Sequence, residues 1–212
     1  MNDLGKAAQF RLTAAKTAAE ADGRKHRSQK SQVLIVNAML ELVAQGNLEP
    51  SADQIAEIAK VGRRSVFRHF SDMDTLYREM NKSIAATMGS LVQQPFQATD
   101  WRGQVLELVD RRAMGFEKMK PFLLAGQVHR HRSEFLKKAH AQFVGILRDI
   151  LTEILPKAVA RETVLVEALD MLLGFESWQR LREDQGLSIA KSKRVLKQAI
   201  ESLLESQAKE RA

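Results

Sequence analysis

An all-α fold of about nine helices is predicted for this 212-residue chain from three observations. No run of alternating apolar and polar residues bounded by turn dipeptides occurs, so strand signals are almost absent. Apolar residues recur instead at three- and four-residue spacing. The four prolines fall where the periodic segments start or stop, where a residue without an N–H does least harm.

Taken in order, the first 23 residues contain seven alanines and little core material, and read as a partly helical or disordered arm. Val33, Val36, Leu40 and Val43 then form a stripe that Ile35, Met39 and Leu42 widen, with Gly46 as a stop signal. Ser51 is an N-cap for a helix over 52–59, with Asp53 favourable at its positive end. A polar break at Lys60–Gly62 leads into a short basic helix over 63–70. Ser71 or Asp72 caps a longer helix over about 74–92. Beyond Pro95, Asp100 caps a helix to about Lys118, and Pro121 opens the next, to about Arg132. Ser133 caps a helix to Leu155, which Pro156 ends. Residues 162–183 form another helix, and Gly186 with Ser188 separates it from a last one through Leu204.

Composition narrows the function. The chain has no cysteine, which excludes disulfides, thiolate metal sites and cysteine nucleophiles together. The longest charge-free stretch, Ser83–Thr99, is 17 residues long and polar, too short for a membrane span. The N-terminus carries Asp3 and lacks an apolar signal region, so a cytoplasmic location is expected. The net charge of +7 favours a polyanionic partner. The excess lies in local clusters: Arg24, Lys25, Arg27 and Lys30 form one, and Lys60, Arg63, Arg64 and Arg68 another.

Residues 51–70, SADQIAEIAKVGRRSVFRHF, carry the most information. Two short helices joined by a three- or four-residue turn, the second of them basic, make the helix-turn-helix pattern. Ile55, Ala56, Ala59, Val61, Val66 and Phe70 would hold the pair together. Arg63, Arg64, Ser65, Arg68 and His69 would stay outward as donors for phosphates and base edges in a major groove. On composition alone, two ordinary core helices with a solvated arginine face fit the same residues.

The wider segment 32–80 resembles the DNA-binding domain of the TetR family of bacterial regulators. The resemblance rests on Gly46, Ser51, Ile55-Ala56, the Lys60–Gly62 turn, Phe67-Arg68-His69-Phe70 and Asp74-Thr75-Leu76. It implies a DNA-binding domain over 27–73, preceded by a flexible arm over 1–26. A ligand-binding and dimerisation domain would follow over 74–212. Three departures stand out. Lys60 replaces the usual turn glycine, at a cost of roughly 1–2 kcal/mol if that position is left-handed. Gly62 replaces the usual serine cap. Phe67 and Met73 replace a tyrosine and a lysine that commonly donate to phosphate. The implied contacts therefore comprise Arg27, Ser51, Lys60, Gly62, Arg63, Arg64, Ser65, Phe67, Arg68 and His69.

The resemblance further implies a homodimeric regulator, usually a repressor, that binds a palindromic double-stranded operator and is released by a small molecule. Walls for the effector pocket are expected from Met88, Leu91, Trp101, Phe116, Leu123, Gln127 and Trp178. Leu169, Leu172, Leu173 and Trp178, with Val195, Ala199, Ile200, Leu203 and Leu204, are candidate dimer faces, unless they close the chain's own core. No catalytic motif or cofactor fingerprint is found, so no enzymatic activity and no cofactor are expected. His129 and His131 point to different faces of a helix and read as a polar helix end. Glu107 and Asp110 with Arg111 and Arg112 read as surface ion pairs, and Met114 and Phe122 as core or cavity residues.

Overall fold

The computed structural model describes residues 28–70, 73–92 and 94–210, with backbone alone for 73, 85–92 and 207–210. These residues form ten α-helices and, among them, no strand. None of the helices is long and apolar enough to cross a membrane. The chain divides into two units, Met1–Asn81 and Lys82–Ala212. The division falls inside a helix, eight residues past the expected boundary. The first turns of that helix bury Leu76, Tyr77 and Met80 in the first unit.

In the first unit, α1 spans residues 28–44. Its buried face is Ile35, Val36, Ala38, Met39, Leu42 and Val43, whereas Val33, expected in the stripe, is 58% exposed. Gly46 ends α1 at φ +92°, and the Asn47 N–H reaches back to the Leu42 carbonyl at 3.0 Å. Helix α2 is Ala52–Ala59, with Ser51 and Gln54 exchanging side-chain bonds to each other's backbone N–H. Its buried residues are Ile55, Ala56 and Ala59. Helix α3 is Arg63–His69, with Gly62 as an N-cap that offers no side-chain bond. Val66 and Phe70 are its buried anchors. Helix α4 spans Met73–Val92; its expected caps, Ser71 and Asp72, lie outside the described residues.

Between α2 and α3 the chain turns at Lys60, which sits at φ 53°, ψ 42°. Among the described residues it is the one non-glycine with positive φ. A Cβ there costs about 1–2 kcal/mol, and glycine would forfeit roughly 0.5–1 kcal/mol of that through unfolded-chain entropy. Lys60→Gly is therefore expected to stabilise the first unit by about 0.5–1 kcal/mol, read as a rise in its denaturation midpoint at unchanged slope. A lower midpoint would mean that the lysine side chain contributes more than its backbone costs.

The second unit is built on α5, Trp101–His129. Asp100 caps it, accepting from the N–H groups of Arg102 and Gly103 at 3.0 Å each. Pro121 lies inside this helix rather than at the start of another. Packing on both sides of the proline overrides the break, with Phe116 buried before it and Ala125 after it. A 3₁₀ turn, Arg130–Arg132, follows, and Ser133 caps α6, Glu134–Ile154. After Pro156 come the short α7, Lys157–Ala160, and α8, Thr163–Leu172. The expected single helix over 162–183 is broken at Gly174, where α9, Phe175–Gln179, begins and runs into a π-helical turn, Arg180–Asp184. Leu173 and Phe175 are both buried. Two residues apart on one continuous helix, they would point to opposite faces. The last helix, α10, is Ile189–Glu210.

These helices share one core, in which Phe116 and Phe175 meet edge to face at 5.4 Å. Polar side chains pin its borders. Glu107 accepts from the N–H groups of Gln97 and Ala98 and pairs with Arg111, whose guanidinium lies 4.1 Å from the Phe96 ring centroid. Asp110 pairs with Lys193 and Lys197 of α10 at 2.6 and 2.7 Å. Arg112 is no surface partner: it is buried, donating to the Leu173 carbonyl at 3.0 Å and the Leu147 carbonyl at 2.6 Å.

Glu117 accepts from Arg182 Nε at 2.8 Å and from the buried Trp178 Nε1 at 2.9 Å. The Arg182 bond, chiefly, holds its carboxyl below the ordinary 4.5. A depressed folded pKa contributes stability above the unfolded value, and this is lost as pH falls through the folded one. Glu117→Gln is expected to lower stability at pH 7 by about 1 kcal/mol, the pair being partly solvated. It should also flatten the stability loss below about pH 4.5, measured by denaturant titration across pH. An unchanged acid profile would show that other carboxylates carry it.

Candidate nucleic-acid interface

A basic surface forms where α2 hands over to α3. The capping box starts α2, the left-handed Lys60 reverses the chain, and the Val61 N–H bonds back to the Ala56 carbonyl at 3.1 Å. Val66 and Phe70 then hold α3 by its inner face. Lys60, Gly62, Arg63, Arg64, Phe67 and Arg68 are left exposed. A short helix bearing three arginines outward matches the width and the acceptors of a DNA major groove.

Two expected donors do not project freely. Ser65 is half-buried, and its Oγ accepts from Arg68 Nη2 at 3.3 Å. His69 is half-buried, with Nε2 enclosed and without a hydrogen-bond partner. Burial, reinforced by Arg68, holds the imidazole below its ordinary 6.5, so it is neutral near pH 7. His69 thus packs α3 rather than reaching outward, because its ring follows Val66 on the helix's inner side. Ser51 is exposed, with Oγ accepting from the Gln54 N–H.

Arg63 is the most constrained of the cations. Its Nη1 lies 3.2 Å from Asp53 Oδ2 on α2, and its guanidinium carbon stands 5.6 Å from the Phe67 ring centroid. In the sequence Asp53 shows only as a favourable charge at a helix start. A pair ten residues apart across a turn has no sequence signature. Lys30, expected in the basic arm, is exposed in the first turn of α1. Arg24, Lys25 and Arg27 lie outside the described residues.

The second unit holds a cavity of about 280 Å³ between α5, α6, α8 and the start of α9. Leu123, Phe143, Leu147 and Phe175 give it apolar walls, and Gln127, His140, Asp170 and Glu176 add polar groups. Gln127 donates to Gln179 at 3.1 Å. Burial and the nearby Arg130 hold His140 below its ordinary value, against the opposing pull of Glu176.

Of the residues expected to wall an effector pocket, Leu123 and Gln127 line this cavity. Phe116 and Trp178 are consumed by the core, and Trp101 is half-buried at the start of α5 under the Arg102 guanidinium. Met88 and Leu91 fall in the stretch of α4 over 85–92, whose side chains lie outside the described residues. Met114, expected inside, is 45% exposed, whereas Phe122 is half-buried. His129 closes α5 and His131 lies in the 3₁₀ turn. Among the described residues no three acidic or histidine side chains converge on a metal position.

The candidate dimer faces are largely spent within the unit. Leu169, Leu173, Trp178, Ile200 and Leu204 are buried there, and Leu172, Ala199 and Leu203 are half-buried. Val195 remains 41% exposed. On the outer side of α8, Val164 and Met171 stand 82% and 65% exposed. No family model matches the chain, and no curated protein matches it.

Proposed function

We propose that the chain is a DNA-binding transcriptional regulator that acts in the cytoplasm as a homodimer on a palindromic operator. The reading is carried by one observation: the α2–turn–α3 unit anchors Val66 and Phe70 inward while Lys60, Arg63, Arg64 and Arg68 face solvent together. Any amphipathic surface helix is held from behind in this way. What fits α3 to a groove is that its bare face carries three arginines beside Lys60 and the exposed Phe67. The resemblance of residues 32–80 to the TetR family supports the same reading, and with it a repressor released by a small molecule.

In this proposal Arg64 and Arg68 reach phosphates or base edges, Arg63 reads a base, and Ser51, Lys60 and the Gly62 backbone approach the sugar–phosphate chain. Dimer contacts would use the outer side of α8, where Val164 and Met171 lie two turns apart on one stripe. The cavity lined by Leu123 and Gln127 would take the effector. An effector that binds the DNA-free form better must bind the operator complex more weakly by the same factor.

Selection of duplexes from a random double-stranded DNA library, followed by gel shift of the enriched sites, tests the proposal. The expected result is enrichment of a palindrome with two half-sites about one helical turn apart, ~34–36 Å. Binding with no sequence preference would reduce the protein to a nonspecific polyanion binder. No binding would return the basic helix to an ordinary solvated face.

A further inference from the structure

Phe67 is the anomaly of the basic surface. It is 54% exposed, yet its neighbours on the exposed side of the turn and α3 are Lys60, Arg63, Arg64 and Arg68. A phenyl ring offers no donor to a phosphate. Nor does an apolar protein partner suit it, since that would take Lys60, Arg64 and Arg68 out of water with no counter-charge from the partner. A surface that is anionic overall and carries an isolated apolar point does suit it. In duplex DNA that point is the thymine 5-methyl in the major groove.

Arg63 covers part of the ring, with its guanidinium carbon 5.6 Å from the centroid, while Asp53 Oδ2 lies 3.2 Å from Nη1 in an ion pair. Asp53 thus occupies one edge of a five-donor group and leaves the rest for a base. Its own charge faces a surface that phosphates would approach, so it opposes any DNA that does not repay the contact at Arg63. Arg63 and Phe67, four residues apart on α3, are spaced by ~6 Å along the helix axis.

Resting on the regulator reading above, we propose that Asp53, Arg63 and Phe67 form one preassembled reading unit. Arg63 bridges the O6 and N7 of a guanine, Phe67 covers the methyl of a thymine within two base pairs of it, and Asp53 is the positioning residue that fixes Arg63 without touching DNA.

The test uses the full chain and the duplex enriched by selection. Replacing each thymine in turn by deoxyuridine removes a methyl and nothing else. At one position near the guanine the wild type should lose roughly fourfold in affinity, the worth of one buried methyl. Phe67→Ala and Phe67→Leu keep α3 anchored, because Phe67 is exposed. Phe67→Ala should bind the thymine and uracil duplexes equally. Asp53→Asn should raise affinity for random-sequence duplex severalfold while discrimination at the guanine falls.

If the wild type is indifferent to uracil at every position, Phe67 reads no methyl, although DNA binding itself stands. If Phe67→Ala keeps the sensitivity, another group reads it. If Asp53→Asn weakens specific and random binding alike, or leaves both unchanged, the positioning role is lost. Absence of any enriched sequence overturns the regulator reading, and this inference with it.

Discussion

Arg112→Ala is expected to lower the stability of the second unit by about 3–4 kcal/mol, more than any single surface change. Arg112 is only 6% exposed, and its two Nη groups bond the carbonyls of Leu173 and Leu147. Truncation removes these charge-assisted bonds and leaves a void beside the core, although the Leu147 carbonyl, inside α6, keeps its helical donor. Burial pushes the guanidinium pKa down to about 10, so the charge is held there at a cost. A group whose charged form is disfavoured in the fold gains stability only as pH rises through that value; at pH 7 the cost is fully present. Arg112→Met keeps volume and removes the charge, so it should lose only about 1–2 kcal/mol. Denaturant midpoints for the two variants decide the matter. Equal losses would show that the carbonyl bonds, which both variants lose, dominate over the void.

Removing residues 1–27 should give the largest functional change. The segment carries Arg24, Lys25 and Arg27, a cation cluster with no acid among its members. Three phosphate contacts would contribute about 2.7 to the slope of log affinity against log salt, or roughly a hundredfold in affinity at physiological salt. Binding isotherms over a salt series, for the truncated chain and for a variant with these three residues changed to alanine, measure it. The alanine variant should reproduce most of the loss. Unchanged slopes would place the segment outside the interface.

What the sequence made legible was local. Ser51, Asp100 and Ser133 announce helix starts, because a side-chain oxygen in reach of an N–H two or three residues on is a short-range event. The Lys60 turn and the inward pair Val66 and Phe70 were readable for the same reason. Packing decided the rest. Pro121 continues a helix because residues before and after it are buried together, and that burial is set by distant segments. The break at Gly174 left a trace in the sequence: the apolar phase through Leu165, Leu169 and Leu173 restarts at Phe175, Trp178 and Leu181. Leucine stripes on α8 and α10 could not say whether they face the chain's own core or a second copy. A half-buried His69 and an exposed one share the same sequence, and only the packing of α3 separates them.

Pro121 also gives α5 a mechanical character. Without an N–H, it leaves the Glu117 carbonyl short of its helical donor, so the rod is most compliant at that turn. On the near side, Glu117 and Lys120 are moored to Arg182 and Glu183 of the π-helical turn. On the far side, Leu123 and Gln127 reach into the cavity. The helix is thus a clamped beam with a weak joint just before the cavity wall. A molecule pressing on Leu123 or Gln127 would load the arm beyond the joint, held by the buried Ala125 and the Gln127–Gln179 bond, before it strained the one moored by ion pairs.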